Sequence, residues 1–565
     1  MERIKKITSR ADFVIPGILF LALCLFKILV VIQNRTLPLI TDEFFYEKMS
    51  WQLLHNGGYR SVQYPMFYPA LLTPAYLFGE HYYMAMKVLN VLYSSFVPVV
   101  AYLICRLYLK PKESGICAVF SAVIPFQYIT PMCLMSENIY FPMLLLAIYL
   151  TLRKHKREIL GDLLLGAVLG CMFMTRHITL TIIPVFALVW MMKQKELGKT
   201  WKVIFLRGAL IVIALLVAYS PWLYNGLSRG LSLKRMIGFA IASKTNPEQL
   251  TMSRLLLSAG YYLCYFALIL APVLGLAIKS IRGLDTKKIY SMYNQLWVIV
   301  FGLAGAFFVA VTRHSWRAYY NYPEFIKVKG RYIIYFPVLF VILGAVVLFQ
   351  KKPQFKHRWT NVVLTYILPA ALIAMAFFVE VKQIFKPLPD GFIDTFECND
   401  MRKIIFMGTA FVVVVPLAAW GYQFFYDFAR ESRKKYLPLV FAVLLLGVEI
   451  WGAVPYLERV HTGNENAKKW NQRHAREMEA SLRELYDGTK MYVLAEDIPN
   501  LKIMKRIPAF YHMSNIVLTE DLGSIKKDIF YILTEDIEKY EDRILEEITS
   551  YQWSDKTYYL VKAEK

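Results

Sequence analysis

The stretch LITDEFFYEKMSWQLLHNGG, which runs from Leu39 to Gly58, places two adjacent carboxylates directly after a long apolar segment. A carboxylate is costly inside a membrane and ordinary in water, so Asp42 and Glu43 raise the question of where the chain leaves the apolar phase. One interpretation is structural, with Thr41 or Asp42 capping the first turn of a helix. The other is chemical, because a positioned carboxylate can act as a general base.

The residues that follow these acids predict a helix. Phe45, Met49 and Leu53 recur every four positions, which is the spacing of one helical face and is typical of an amphipathic helix at a membrane surface. Two glycines come next, and glycine commonly ends a helix. The two acids would then occupy the first turn, where the helix dipole favours ionised carboxylates. Because neighbouring helical positions point about 100° apart, we expect the two acids to have different roles.

The chain as a whole has the composition of a membrane protein. Of its 565 residues, 57% are hydrophobic, and the mean hydropathy is +0.40. The apolar residues fall in many runs of roughly 18–25, each long enough to cross a bilayer as a helix. The sequence therefore predicts an α-helical polytopic membrane protein with about 13 transmembrane helices. The predicted span centres lie near residues 22, 96, 122, 144, 168, 185, 212, 266, 303, 341, 370, 414 and 446.

The net charge of +23 has a topological explanation rather than a nucleic-acid one. From Tyr456 to the end there are 17 basic and 20 acidic residues, so the excess of positive charge lies in the rest of the chain. There it is concentrated in alternate connections between apolar runs, of which Arg153–Arg157 is one. By the positive-inside rule these connections are cytoplasmic. This predicts a cytoplasmic N-terminus and an extracytoplasmic C-terminal region, with no nucleic-acid partner.

The last part of the chain, residues 456–565, predicts a small soluble α/β domain on the extracytoplasmic side. A helical pattern ends at Gly488, and three short β-rich runs follow, namely KMYVLAED, DIFYILTED and KTYYLVK. No glycine-rich phosphate loop occurs in it. It reads as a structural cap or an acceptor-binding module. Residues 1–455 are expected to form the transmembrane catalytic domain, with a first outer loop over residues 34–83.

A second cluster on the predicted outer side is strongly basic. The segment TRHSWRAYYNYPEFIKVKGRY carries Arg313, Arg317 and Arg331 with a single acid. Short outer loops usually avoid such charge, so an anionic ligand at the membrane surface would offset the cost. Arginine suits phosphate because its planar fork donates two parallel hydrogen bonds. The alternatives are an anionic-lipid contact and a solvated loop.

Two further charged residues lie at predicted span ends on the same side. Glu137 starts the fourth span, and Lys87 lies near the outer start of the second. Either can be purely interfacial, with the lysine reaching to the headgroups. Together with the first two clusters, they combine carboxylates with cations on one face of the bilayer. A general base and a phosphate-stabilising cation fit group transfer from a lipid-linked phosphate donor.

These residues resemble a known family. TDEFFYEKMSWQLLHNGG with YPMFYPALLTPAYLFGE resembles the first outer loop of the GT-C glycosyltransferases that use polyprenyl-phosphate sugars. That family includes the protein O-mannosyltransferases and the lipid A aminoarabinose transferases. MSENIYFP, GAVLGCMFMTRH, YSPWLYNGLSRG and GRYIIYFPVLF resemble further segments of it, in the family's order. The resemblance covers roughly residues 13–340, and its strength lies in the order of the segments.

The resemblance implies roles for particular residues. Asp42 would be the general base, Glu43 a supporting acid and Glu137 a functional acid of the second outer loop. Arg176, Arg331 and Tyr332 match basic and RY positions near the donor phosphate. This sequence has Gln63-Tyr64-Pro65 where the aminoarabinose transferases often have a lysine before proline, so phosphate contact would fall to Lys87, Arg313 or Arg317. The expected substrate-lining residues are Tyr46, Tyr64, His314 and Trp316.

The resemblance also implies a reaction and its partners. The family transfers one sugar with inversion from a polyprenyl-phosphate (undecaprenyl-type) donor to an extracytoplasmic acceptor, which is a cell-envelope glycan, a lipid or a protein. Some members depend on a divalent metal such as Mg or Mn and others do not. Asp42 and Glu43 would be its ligands here.

Rival interpretations predict different sequence features. A transporter or flippase of a lipid-linked anion would carry charges deep within spans, often with inverted repeats. Few intramembrane charges and no repeat occur in this sequence. A ligase or polymerase of the O-antigen type shares the donor chemistry but lacks this first-loop pattern. A receptor or scaffold is the remaining alternative.

Overall fold

The computed structural model of the protein describes the following residues: 11–32, 41–61, 63–123, 127, 130–238, 250–270, 277, 280–317, 335–349, 482, 484–486, 489–495, 512, 516–519, 521–553 and 556–565. Two predicted site residues, Arg331 and Tyr332, lie outside these ranges. The predicted span centres at residues 370, 414 and 446 also lie outside them.

Helices make up the described chain as far as residue 349. In order they are α1 (Ala11–Ile32), α2 (Thr41–Asn56), α3 (Phe67–Leu72), α4 (Tyr82–Ser94), α5 (Phe96–Arg106), α6 (Pro111–Val123), α7 (Glu137–Leu152), α8 (Glu158–Phe173), α9 (Thr179–Glu196), α10 (Trp201–Leu227), α11 (Leu233–Met236), α12 (Met252–Ile269), α13 (Met292–Arg317) and α14 (Phe336–Phe349). A 3-10 helix, Thr73–His81, joins α3 to α4. Each predicted span centre from residue 22 to residue 341 falls on one of these helices.

The described helices are those of a membrane protein. Four segments are long and apolar enough to cross a bilayer: Ala11–Ile32, Tyr82–Arg106, Trp201–Leu227 and Met292–Arg317. In α1 the side chains of Leu21, Leu25 and Leu29 are all more than half exposed on the protein surface. So much exposed leucine on one helix is unfavourable in water, and lipid would cover it.

The chain divides into two compact units. The first, here called the membrane unit, comprises Met1–Val31, Arg60–Tyr68 and Lys87–Glu458. The second, here called the loop–tail unit, comprises Ile32–Tyr59, Pro69–Met86 and Arg459–Lys565. Most of the first loop is thus grouped with the C-terminal region, far away along the chain. The predicted domain boundary at residue 456 stays a prediction.

The helix α7 is the buried centre of the membrane unit. Its residues Tyr140, Phe141, Leu144 and Ile148 are all inaccessible or nearly so. A helix that is apolar and buried on every side is surrounded by other helices rather than by solvent or lipid. Glu137, at the start of α7, is therefore held by protein.

A close helix pair explains a short apolar segment of the sequence. Gly166 and Gly170, spaced as GxxxG, bring α8 against the backbone of α10. A Cβ atom at Gly170 would lie 2.5 Å from the carbonyl oxygen of Leu215. Small residues at this spacing let two helix backbones approach closely in a membrane. The helix α8 ends at Phe173 and α9 begins at Thr179, so the predicted spans centred near residues 168 and 185 are two separate helices.

Ion pairs link several of the predicted basic connections. Arg106, at the end of α5, pairs at 2.5 Å with Asp12 at the start of α1, and both side chains are buried. Lys154, between α7 and α8, pairs at 3.3 Å with Glu196 at the end of α9. Each of these contacts joins the ends of two helices that are distant in sequence.

The C-terminal region forms a five-stranded sheet. Its strands are β1 (Met491–Leu494), β2 (Ile516–Thr519), β3 (Ile529–Thr534), β4 (Ile544–Trp553) and β5 (Lys556–Glu564). Their order in the sheet is β2-β1-β3-β5-β4. β1 is parallel to β2 and β3, whereas β5 is antiparallel to β3 and β4. Each of the three predicted β-rich runs contains a strand, and apolar clusters cover both faces of the sheet.

Candidate functional site

The helix α2 forms where the sequence predicts it. It begins at Thr41 and ends at Asn56, and both acids lie in its first turn. Gly57 and Gly58 follow it with φ of 62° and 151°. These angles suit glycine, because a side chain would clash there. The local pattern thus fixed both ends of the helix that carries Asp42 and Glu43.

The buried face of α2 differs from the predicted apolar stripe. Phe45 and Leu53 are only partly buried, whereas Glu43 and Glu47 are fully inaccessible to solvent. The side chains at positions i and i+4 share one helical face, so the two buried glutamates lie one above the other. The buried face of α2 is therefore partly acidic. The spacing of its apolar residues did not predict this.

Asp42 and Glu43 lie in different surroundings, as expected for neighbours on a helix. Asp42 is partly exposed, and Glu43 is buried. The Tyr83 hydroxyl donates a hydrogen bond of 3.2 Å to Oε1 of Glu43. A carboxylate that is held in place by a phenol is suited to a supporting role. Asp42, by contrast, keeps part of its surface exposed.

Glu47 is a buried acid that the sequence analysis missed. Its Oε1 atom accepts hydrogen bonds from the Tyr76 hydroxyl at 3.0 Å and from Nε2 of His512 at 2.8 Å. Burial, followed by the charge of Glu47, raises the pKa of Tyr76, so this phenol stays protonated and keeps donating. The signal that could have identified Glu47 was its position one turn after Glu43 on the same face.

In the membrane unit the structure brings together two predicted residues from different segments. Arg176, between α8 and α9, forms an ion pair with Glu137 at the start of α7. Its guanidinium group lies 6.0 Å from the ring centre of Tyr140. The backbone N–H of Phe67 donates to the carbonyl of Met174 at 3.1 Å, which ties the residues just before Arg176 to α3. The acid and the cation therefore form one buried polar cluster.

Lys87 is buried rather than reaching to the headgroups. Its side chain is fully inaccessible, and it shares one face of α4 with the buried residues Asn90 and Ser94. Asn90 accepts from the Tyr68 hydroxyl at 2.8 Å. Ser94 accepts from the Lys27 ammonium at 2.8 Å. A lysine buried without reaching solvent suits the binding of an anion, because its charge is poorly hydrated there.

Lys27 is a second buried cation that the sequence analysis did not single out. It lies in the middle of the apolar helix α1 and is fully inaccessible. Its ammonium group donates to Ser94 at 2.8 Å and to Oε1 of Gln127 at 3.1 Å. Both partners are neutral. The hydropathy of α1 concealed this charge.

The basic segment after residue 312 begins on a helix and not in a loop, which corrects the prediction. α13 continues to Arg317, so Arg313, His314 and Trp316 occupy its last turns. Trp316 donates through Nε1 to the carbonyl of Thr251 at 3.1 Å, while Arg313 and His314 are exposed. Cations at the C-terminal end of a helix are favoured by its dipole. The helix dipole therefore explains the cations at the end of α13 structurally, in addition to the predicted binding of an anion.

The two predicted tyrosines are both buried. Tyr46, on α2, is 7% exposed, and Tyr64, just before α3, is 8% exposed. Asp42, Glu43 and Tyr46 belong to the loop–tail unit, and the other described site residues belong to the membrane unit.

Comparison with known proteins shows what the sequence and the fold resemble. Residues 64–224 match the family described as dolichyl-phosphate-mannose-protein mannosyltransferase, a range that includes Lys87, Glu137 and Arg176. The crystal structure of ArnT from Cupriavidus metallidurans bound to undecaprenyl phosphate is similar over 97% of each chain, with a TM-score of 0.55 and 13% identity. The chain thus resembles this mannosyltransferase family over residues 64–224, and its fold is similar to that of ArnT. The described fold is that of an integral membrane protein.

Two further solved structures were found by the structural comparison. ArnT from Cupriavidus metallidurans in the apo state covers 97% of each chain at 13% identity, with a TM-score of 0.54. An oligosaccharyltransferase from Archaeoglobus fulgidus, tethered with an acceptor peptide, is 13% identical over 65% of this chain and 55% of its own. Its TM-score is 0.32, which is too low to support an argument. No curated protein matches the chain in sequence.

Proposed function

We propose that this protein is a membrane glycosyltransferase that moves one sugar from a polyprenyl-phosphate donor to an extracytoplasmic acceptor, with inversion. The observation that carries the proposal is the first turn of α2, where a partly exposed Asp42 stands beside a buried and hydrogen-bonded Glu43. A carboxylate in this setting can accept a proton from a hydroxyl. The similarity of the fold to that of ArnT supports the assignment.

The reaction is a single displacement. The acceptor hydroxyl loses its proton to the Asp42 carboxylate, and its oxygen forms a bond to the anomeric carbon of the sugar. The bond from that carbon to the phosphate oxygen breaks, and polyprenyl phosphate leaves with the electron pair. Attack from the side opposite the leaving group inverts the anomeric centre. Glu43 stays a supporting acid that is fixed by Tyr83.

The leaving phosphate requires positive charge. Lys87 and Arg176 are the described cations that best suit this role, because one is fully buried and the other is part of a buried cluster. Charge that develops on a phosphate is stabilised by cations already in position, with no reorganisation when the bond breaks. The undecaprenyl phosphate bound to the similar ArnT structure supports a donor of this class.

A divalent cation at Asp42 and Glu43 stays a prediction. Their side chains diverge by about 100° because they are neighbours on a helix. Within the described part of the chain, no group of three His, Cys, Asp or Glu side chains converges on a common point. The two carboxylates alone thus make a poor chelating pair, and the reaction above uses them without a metal. Adding EDTA and then Mg or Mn to the transfer assay measures any requirement.

The replacement of Asp42 by asparagine tests the proposed base. Purified protein in lipid nanodiscs is given polyprenyl-phosphate sugars and an envelope extract as the acceptor source, and the release of polyprenyl phosphate is measured. We expect Asp42→Asn to lower the rate roughly 100-fold or more, because a general base contributes about 10²–10⁴-fold. The exposed Asp528→Asn variant is a matched control that should behave as wild type.

Two outcomes would contradict the proposal. An Asp42→Asn variant as active as wild type would remove the base assignment. Translocation of the lipid-linked donor without sugar transfer would favour the flippase, which the buried charges of Lys27 and Lys87 would also suit.

A further inference from the structure

Glu47 is a buried acid to which the proposed displacement assigns no role. Its side chain is fully inaccessible, and one of its oxygens takes hydrogen bonds from Tyr76 and His512. The other oxygen, Oε2, is buried with no hydrogen-bond partner among the described residues. Burying a carboxylate costs free energy unless its partners hold it well. The contacts to Glu47 therefore merit a functional explanation.

His512, in the segment between β1 and β2, comes from the C-terminal region. Its side chain is 14% exposed, and its ring stacks on that of Trp51 with centres 5.1 Å apart and planes at 12°. Tyr76 meets the same imidazole edge-on at 6.3 Å, and Tyr82 lies 5.8 Å away. Stacked aromatic pairs are stabilising beyond the area that they bury. One imidazole from the tail thus binds the first loop both by a hydrogen bond and by packing.

These contacts act on the helix that carries the proposed base. Glu47 lies one turn after Glu43 on the same face of α2, and Trp51 lies one turn after Glu47. Fixing both of them fixes the rotation of α2 about its own axis. That rotation decides the direction in which Asp42 points. In general, a displacement of about 1 Å in a reacting group can cost about 100-fold in rate.

We propose that the C-terminal domain is a positioning element of the transferase, in which His512 fixes α2 through its hydrogen bond to Glu47 and its stacking on Trp51. Its kinetic consequence rests on the proposed function. His512 is a positioning residue and does not touch the reacting atoms. The tail is then neither a passive cap nor a module that only binds the acceptor.

The test separates the two contacts of His512. His512→Phe keeps a ring that can stack and loses the N–H donor, whereas His512→Gln keeps an N–H donor near the Nε2 position and loses the ring. His512→Ala removes both. His81→Phe is a matched control, because His81 is exposed at the end of the 3-10 helix. Size-exclusion chromatography in detergent selects the variants that stay folded.

Two readouts are measured on each variant. Amide hydrogen exchange over residues 41–56 should rise at least roughly 10-fold in His512→Ala, because each tenfold corresponds to about 1.4 kcal/mol of lost protection. The rises in His512→Phe and His512→Gln should be smaller. In the transfer assay kcat should fall by about 10-fold to 100-fold while both KM values change little, because the base is misplaced and the substrates still bind. Glu47→Gln combined with His512→Ala should cost no more than the worse single variant, because the two residues act as one unit.

The outcomes distinguish this inference from the proposed function. Exchange and kcat equal to those of His81→Phe in all three His512 variants would overturn it. An increased acceptor KM with unchanged kcat would also overturn it, since the tail would then bind the acceptor. If exchange rises as expected but wild type transfers no sugar, the proposed function fails while the structural contact stands.

Discussion

At the scale of single residues, the structure separates charges that the sequence treats alike. Lys87 and Arg313 were both predicted to bind phosphate. Lys87 is fully buried on α4, whereas Arg313 is exposed at the end of α13. A buried cation keeps more of its electrostatic strength because less water screens it. Lys87 is therefore the stronger candidate for donor phosphate.

Replacing Lys87 with methionine tests whether Lys87 binds the donor phosphate. Methionine is close to lysine in shape and lacks the charge, so packing is kept. We expect the donor KM to rise about 10-fold to 100-fold, because a hydrogen bond to a charged group contributes about 1.5–3 kcal/mol. The acceptor KM should stay constant. Separate titrations of donor and acceptor in the transfer assay measure the two KM values, with the exposed Lys526→Met as control. An unchanged donor KM would exclude Lys87 from the phosphate site.

The acids of α2 show what can be predicted from the sequence close to a residue and what cannot. Asp42 and Glu43 could be placed in a first turn because capping, dipole and terminating glycines are all local. The position of Glu47 one turn after Glu43 could have placed it on the same face, but its partners Tyr76 and His512 could not be predicted, because they come from elsewhere in the chain. Nothing in a residue's own neighbourhood encodes a hydrogen bond to a residue more than 400 positions away.

At the scale of secondary-structure elements, hydropathy predicted where the described helices lie but not where each of them ends. The polar residues after Thr312 suggested a loop, but α13 continues to Arg317. The backbone hydrogen bonds of a helix do not depend on apolar side chains, so a helix can extend beyond its apolar run. In the tail, β2 and β4 were missed; the run of β4, ILEEITSYQW, is half polar. It lies at the edge of the sheet, where one side has no strand to pair with.

The close contact between α8 and α10 gives a prediction about stability. Gly170→Ala places a methyl group 2.5 Å from the backbone oxygen of Leu215, so the helices must separate. We expect a loss of about 1–3 kcal/mol, as for other overpacked sites. Gly305→Ala on α13 is the matched control, because a methyl group there meets nothing within 4 Å.

Thermal unfolding in detergent measures this difference. Gly305→Ala should leave Tm unchanged or raise it, because alanine favours a helix more than glycine does. A Tm for Gly170→Ala equal to that of Gly305→Ala would show that the two helices can separate without cost.

At the scale of the whole molecule, the compact units do not follow the order of the chain. The first loop and the C-terminal region form one unit, and the helices between them form most of the other. The sequence predicted a membrane domain followed by a soluble one. The predicted orientation, with the N-terminus in the cytoplasm and the C-terminal domain outside, rests on the alternating basic connections.

Cysteine labelling tests the orientation. Lys526→Cys in the tail should react with a membrane-impermeant maleimide in intact cells. Lys112→Cys, at the start of α6, should react only after the membrane is permeabilised. Wild type supplies the background from its native cysteines. The reverse pattern would invert the topology and remove the extracytoplasmic acceptor.

The sequence by itself determined the membrane class, the described spans and the helix that carries Asp42 and Glu43. These follow from composition, periodicity and terminating residues, which act over a few neighbouring positions. Only the tertiary structure decided that Glu137 pairs with Arg176, that Lys87 is buried and that His512 holds Glu47. Each of these facts depends on two or more segments meeting in space. That meeting is set by the packing of the entire chain, so no single segment contains it.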